Sequence, residues 1–199
     1  MSKSLGNVVD PVEIIDDIFA GQADPLRYFL LRSGKMNSDS PFSMEALKSC
    51  YNNELVGNLG NLISRIFKKY TAEEMASLTR IDRVEDEHLN SKLKNFDVKV
   101  NELYDQFHFN QVADLSMDII SSANGLVSKI QPWKFTDARD HLHVASEIAF
   151  IISKVSNSLF PMIPGASESI QQIIKGKKSL ASQVGGVFPR ILNKSIPRG

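Results

Sequence analysis

The chain reads as an all-α protein, an antiparallel helical bundle preceded by a short helical connector. Three observations lead there. The stretch 42–70, FSMEALKSCYNNELVGNLGNLISRIFKKY, contains no proline, and Leu47, Tyr51, Leu55, Leu59, Leu62 and Ile66 recur along it every three or four residues as one apolar stripe. Two later segments keep the same period: Val112, Leu115, Ile119, Ala123, Leu126 and Ile130, then Leu142, Ala145, Ala149, Ile152, Val155 and Leu159. No alternating strand of useful length is visible, and no glycine-rich phosphate loop follows a strand, so no nucleotide-binding sheet is expected.

The elements follow in order. Asp10-Pro11 is a helix start, an acceptor at the cap and proline at the first helical position, with Glu13 at capping-box spacing. That helix buries Ile14, Ile15, Ile18 and Phe19, and Gly21 closes it. Asp24-Pro25 repeats the start signal before a helix from Leu26 to about Ser33, apolar on nearly every side apart from Arg27 and Arg32. Gly34 is the expected C-cap. Ser43 caps the long central helix, where Gly57 and Gly60 each cost roughly 1 kcal/mol relative to alanine and so signal close approach by another helix or by a ligand. Residues 71–90 are charged and irregular, with a short helix near Glu73. Helices are expected from Leu93 to Phe107, from Asn110 as cap to Ile130, and from Thr136 as cap to Leu159, with Pro161 and Pro164 ending the last. A short helix near Glu168–Ile174 follows, and Phe188-Pro189-Arg190-Ile191 is expected to pack back onto the body.

Composition narrows the function. Of 199 residues, 23 are Lys or Arg and 23 are Asp or Glu, so bulk charge does not hold this chain to nucleic acid, and any such contact must come from a local patch. The single cysteine, Cys50, excludes an internal disulfide framework and reads as a small buried residue in a helix. No apolar run approaches the roughly 20 residues of a membrane span, and the first residues are neither a secretory signal nor an amphipathic presequence. His88, His108, His141 and His143 form no metal-ligand spacing.

Three groups of residues can carry chemistry. In the leading peptide MSKSLGN, Ser2 and Ser4 flank Lys3, a composition able to place an ammonium on phosphate oxygens, or simply a solvated peptide. Asn61 and Arg65 sit four residues apart, on one side of the helix about 6 Å from each other. An amide and a guanidinium fork at that spacing can read base edges, or can serve a helix–helix hydrogen bond. Trp133, the sole tryptophan, lies between Pro132 and Lys134 at the seam of two long helices, where it can stack on an unpaired base or plug the end of the bundle. A nucleic-acid site requires Trp133 to meet Asn61 and Arg65.

Taken in order, MSKSLGNVVDP, ADPLRYFLLR, NNELVGNLGNLISR, the PW pair and FPRI resemble the C-terminal half of methionyl-tRNA synthetase, from Met1 to about Ile191. MSKSLGN is shared by class I aminoacyl-tRNA synthetases generally, and NLGNLISR narrows the match to the methionine enzyme. The resemblance implies an anticodon-binding helical bundle of the class I type. Residues 1–34 would be the lysine–serine signature loop and connector that end the catalytic half, and 35–199 the anticodon-binding domain with its tail. Lys3, with Ser2 and Ser4, would stabilise ATP phosphates, with magnesium, in the full enzyme. Asn61, Arg65 and Trp133 would bind the tRNA(Met) anticodon loop, Trp133 stacking on the first base of CAU. The family's loop begins with a lysine ahead of the methionine, and its nucleotide-binding sheet, methionine pocket and zinc-bearing insertion lie upstream. The expectation is therefore that this portion uses no cofactor of its own, selects tRNA, and aminoacylates only with the missing catalytic half of the same enzyme, in the cytoplasm or the mitochondrial matrix. A stand-alone non-catalytic tRNA-binding module and a helical protein-interaction scaffold are the alternatives.

Overall fold

The computed structural model describes residues 10–34, 42–182 and 186–191, and every regular element among them is helical. Ser2, Lys3 and Ser4 fall outside the described residues. The chain runs through α1 (Pro11–Phe19), α2 (Asp24–Ser33), α3 (Met44–Cys50), a π-helical segment (Tyr51–Gly60), α4 (Asn61–Phe67), α5 (Ala72–Ala76), α6 (Glu87–Leu93), α7 (Phe96–Asp105), α8 (Phe109–Ile130), a 3-10 turn (Pro132–Lys134), α9 (Ala138–Ser158) and α10 (Pro164–Ile174). The central helix packs its π-helical part on α8 and α4 on α8 and α9, while α10 covers the other flank of α9 and α7 that of α8. Residues of α1 and α2, including Ile18, Tyr28 and Phe29, share one hydrophobic core with the rest.

The apolar stripe of the central helix is buried throughout: Leu47, Leu55, Leu59 and Leu62 are fully covered, and Tyr51 and Ile66 nearly so. The expected plain α-helix is corrected in its middle. From Tyr51 to Gly60 the backbone winds more slowly, and Asn61 N–H donates to Val56 O five residues back. This explains the stripe. A step of four residues overshoots a turn of about 3.6, and Leu47, Tyr51, Leu55 and Leu59 make three such steps in succession. Wider turns bring them back to one face. It also assigns the glycines. A Cβ on Gly57 would lie 2.8 Å from Asn52 O of its own helix, and one on Gly60 3.0 Å from Leu55 O and 3.2 Å from the Phe188 ring. The close approach read from these glycines is thus made by the helix's own π backbone and by the C-terminal segment, not by another helix.

Several caps are as expected. Asp10 accepts from Val12 N–H at 2.8 Å and Ser43 from Ala46 N–H at 3.2 Å; in addition, Thr71 with Glu74 forms an unforeseen full capping box on α5. Others are corrected. Asp24 does not cap its own helix but accepts from Ala166 N–H at 2.6 Å, the first turn of α10, so tertiary contact has taken over a local signal. Burial raises its carboxyl above the usual range, and the Ala166 N–H works against this. α9 is capped by Asp137 rather than Thr136, α8 starts at Phe109 ahead of Asn110, the expected 93–107 helix is α7, starting only at Phe96, and α6 forms largely within the stretch expected to be irregular. Phe188 is buried and Tyr51 Oη donates to Pro189 O at 2.5 Å, so the C-terminal segment does pack back.

A polar cluster ties α2 to the central helix and α8. Tyr28, fully buried, donates from Oη to Glu54 at 2.5 Å, and Arg32 bridges Glu54 at 3.1 Å and Asp114 at 2.6 Å. Desolvation first, then the Glu54 charge, pushes the Tyr28 phenol far above its ordinary value, and burial lifts the nearby Cys50 thiol to about 12.

Gly57→Ala tests the π-helical geometry through the sign of its effect. An α-helix at this position would gain about 1 kcal/mol from alanine. The π segment instead has to displace the Asn52 carbonyl, so a loss of about 1–3 kcal/mol in urea unfolding is expected; a gain would contradict the slower winding.

Candidate nucleic-acid interface

The residues singled out on the central helix and in the interhelical turn meet at one end of the bundle. α4 carries Arg65 to the foot of α8, and the αL backbone of Gln131 (φ 52°) ends α8 and turns the chain into Pro132-Trp133-Lys134. Pro132 is buried and anchors this turn, whereas Trp133 remains 54% exposed. The indole therefore does not plug the bundle. The Arg65 guanidinium lies over its ring, 5.1 Å from the centroid, a cation–π contact that holds both groups.

Behind this pair runs a row of amides and hydroxyls between the central helix and α8. Asn124 Nδ2 donates to Asn58 O at 3.0 Å and Asn58 Oδ1 at 2.9 Å. Its Oδ1 accepts from Asn61 Nδ2 at 3.3 Å and from Arg65 Nη1 at 3.4 Å. A carbonyl on one side and a guanidinium on the other leave one orientation for the Asn124 amide. Arg65 Nη2 donates to Ser128 Oγ at 3.1 Å, and Asn58 Nδ2 to Ser121 Oγ at 2.9 Å. The helix–helix reading of the Asn61–Arg65 pair is met. The pair makes the helix–helix hydrogen bonds, yet Asn61 stays exposed and among the described residues its Oδ1 has no protein partner, while Nε of Arg65 is likewise uncommitted.

Asn124 and Ser128 were not foreseen. Ser121, Asn124 and Ser128 recur at helical spacing on α8, a polar stripe opposite an apolar one, but nothing local says which helix it faces. Also unforeseen is a hollow of about 230 Å³ beside the indole, lined by Arg65, Ile66, Lys69, Pro132, Trp133, His141, Val144 and Ala145. Lys69 Nζ lies 2.6 Å from His141 Nδ1, and His141 Nε2 lies 3.2 Å from Phe135 O. Among the described residues no group of histidines, cysteines and carboxylates could hold a metal ion, and no helix is long and apolar enough to cross a membrane.

Comparison with known proteins gives this geometry a setting. The model of the class I tRNA synthetases (M) matches residues 1–67, up to the end of α4. A methionine–tRNA ligase of Caldanaerobacter subterraneus is 36% identical over 136 residues, covering 67% of this chain, and one of Campylobacter jejuni is 30% identical over 175 residues, covering 85%. The chain belongs to the methionyl-tRNA synthetase family. It spans 21% and 27% of the length of those two relatives. Methionyl-tRNA synthetase of Mycobacterium tuberculosis in its free state shares the fold, with a TM-score of 0.75 at 21% identity over 94% of this chain and 42% of that one. The form bound by methionyl-adenylate gives 0.76 at 23% identity. At such identity the likeness speaks for the fold.

The stacked pair can be checked through fluorescence, because Trp133 is the only tryptophan. Arg65→Ala uncovers one face of the indole, so acrylamide should quench the emission more strongly than in the parent. Equal quenching would mean that the guanidinium does not sit on the ring in solution.

Proposed function

We propose that this chain is the tRNA-selecting portion of a methionine–tRNA ligase, and that it reads the CAU anticodon with Asn61, Arg65 and Trp133. The observation that supports it most is the convergence of these three side chains, from separate parts of the sequence, at one solvent-facing end of the bundle, with Arg65 on the indole and Asn61 beside it. An unpaired base gains roughly 1–3 kcal/mol by stacking on an exposed aromatic ring, and an unstacked loop presents its Watson–Crick edges to side chains. Asn61 Oδ1 is placed to accept from an exocyclic amine, which cytosine and adenine carry, and the uncommitted donors of Arg65 suit carbonyl and ring-nitrogen acceptors. Asn124 takes no part in reading. It holds the amide and the guanidinium so that ordering them costs little when RNA arrives.

In the full enzyme, Lys3 with Ser2 and Ser4 would act on the ATP phosphates during methionine activation, a role that rests on the sequence resemblance. The catalytic half supplies the remaining chemistry.

The test is binding of an RNA stem-loop carrying CAU, against one with the same bases scrambled. The parent chain is expected to prefer CAU. Trp133→Ala should weaken binding by about 1–3 kcal/mol. Arg65→Ala should reduce the preference for CAU as well as the affinity, because the fork reads acceptors rather than only attracting charge. Equal affinity of parent and Trp133→Ala would remove the stacking role.

A further inference from the structure

Arg65 and Lys69, four residues apart on and just beyond α4, both line the hollow beside Trp133, and no carboxylate joins them in its lining. Three cations elsewhere bridge to carboxylates on other elements: Arg32 to Glu54 and Asp114, Lys92 to Asp118 at 2.7 Å, and Lys154 to Asp97. At the hollow the partners are neutral. Arg65 bonds to Asn124 and Ser128. Lys69 bonds to His141, whose state follows from geometry: Phe135 O can only accept, so Nε2 carries the proton and Nδ1 of the neutral ring accepts from the ammonium. The carboxylate whose charge reaches Lys69 is that of Glu74, and it is turned to Thr71 N–H in the capping box of α5. Two positive charges thus share a concave surface with no internal counter-charge, and an ammonium has three donors of which His141 takes one.

We propose that this hollow is a phosphate site, taking a backbone phosphodiester of the bound RNA next to the base that stacks on Trp133, with Lys69 as its principal ligand and His141 as the group that aims Lys69. The inference rests on the anticodon reading for the identity of the RNA, but not for the chemistry of the site. Partial burial lowers the Lys69 pKa from its ordinary value, the mark of an ammonium that has given up some of its water and has more to gain from an anion. Lys69 also lies 5.1 Å from the Tyr70 ring centroid, and Tyr70 Oη donates to the His141 backbone carbonyl at 3.2 Å, so one residue contacts the ammonium and the main chain that carries the imidazole. The division of labour follows from the chemistry: contacts to phosphate position the RNA, and contacts to base edges specify it. Lys69 therefore contributes affinity without discrimination, and Arg65 contributes both.

The experiment measures binding of the CAU and scrambled stem-loops to the full chain over a range of KCl concentrations, for the parent, Lys69→Gln and Lys69→Arg. Lys69→Gln is expected to bind both loops about tenfold more weakly at low salt, to keep the ratio between them, and to lower the slope of log affinity against log salt by about 0.7–1; Lys69→Arg should restore most of the slope. RNA bearing a single neutral methylphosphonate beside the stacked base should weaken binding to the parent and leave Lys69→Gln unaffected. A Lys69→Gln chain with unchanged slope, whether or not its affinity falls, overturns the proposal, because a structural role does not change the number of counterions released. Inorganic phosphate that displaces RNA better than chloride at equal ionic strength, with no effect of the methylphosphonate, also overturns it and marks a site for the free anion. A parent chain that binds both loops equally, with Lys69 dependence intact, sinks the anticodon reading while supporting the phosphate site.

Discussion

The row of hydrogen bonds between the central helix and α8 is the constraint from which the rest follows. Asn58, Asn61 and Arg65 on one side, and Ser121, Asn124 and Ser128 on the other, lock two helices in a single register. Apolar burial beneath them, through Leu59, Leu62, Ile119, Ile120 and Ala123, supplies the bulk of the stabilisation but little directional preference. The amides fix the rotation and the axial position, since a slip of one residue would leave buried or half-buried donors unpaired at a cost of about 1–3 kcal/mol each. The contacts at this end, from the guanidinium on the indole to the ammonium on the imidazole, are placed by that register.

The π-helical segment contributes to the same end by a different route. It lets the stripe from Leu47 to Leu59 stay on the core while the helix continues into α4. At the other end of the same helix, the Tyr28–Glu54–Arg32 cluster joins α2 to the body. One continuous run of helix thus connects the cluster around Glu54 with the residues that face solvent beside Trp133. Glycine at 57 and 60, costly in an ordinary helix, is the residue that a widened turn accommodates without collision.

Charge is distributed to suit this division. The net charge of zero conceals a local asymmetry: Arg32, Lys92 and Lys154 are matched by carboxylates on neighbouring elements, while Arg65 and Lys69 are held by neutral groups. An ion paired with a carboxylate offers little field to a ligand. An ion oriented by amides, a hydroxyl and an imidazole keeps its field. Composition alone argues against nucleic acid held by bulk charge, and the local pairing is visible only in the folded chain.

Sequence by itself determined the helical class, the identity of most buried positions and the family, because periodic burial and short ordered motifs are local properties of the chain. It also singled out Asn61, Arg65 and Trp133, each with a structural use beside the functional one, and the family resemblance gave the functional use its weight. The tertiary structure decided the rest: that Trp133 faces solvent, that Asn124 binds both Asn61 and Arg65, that Asp24 caps α10 instead of its own helix, and that Lys69 meets His141 across the bundle. Each of these depends on the distance between residues far apart in the chain, and that distance is set by how helices pack, not by what any one of them contains.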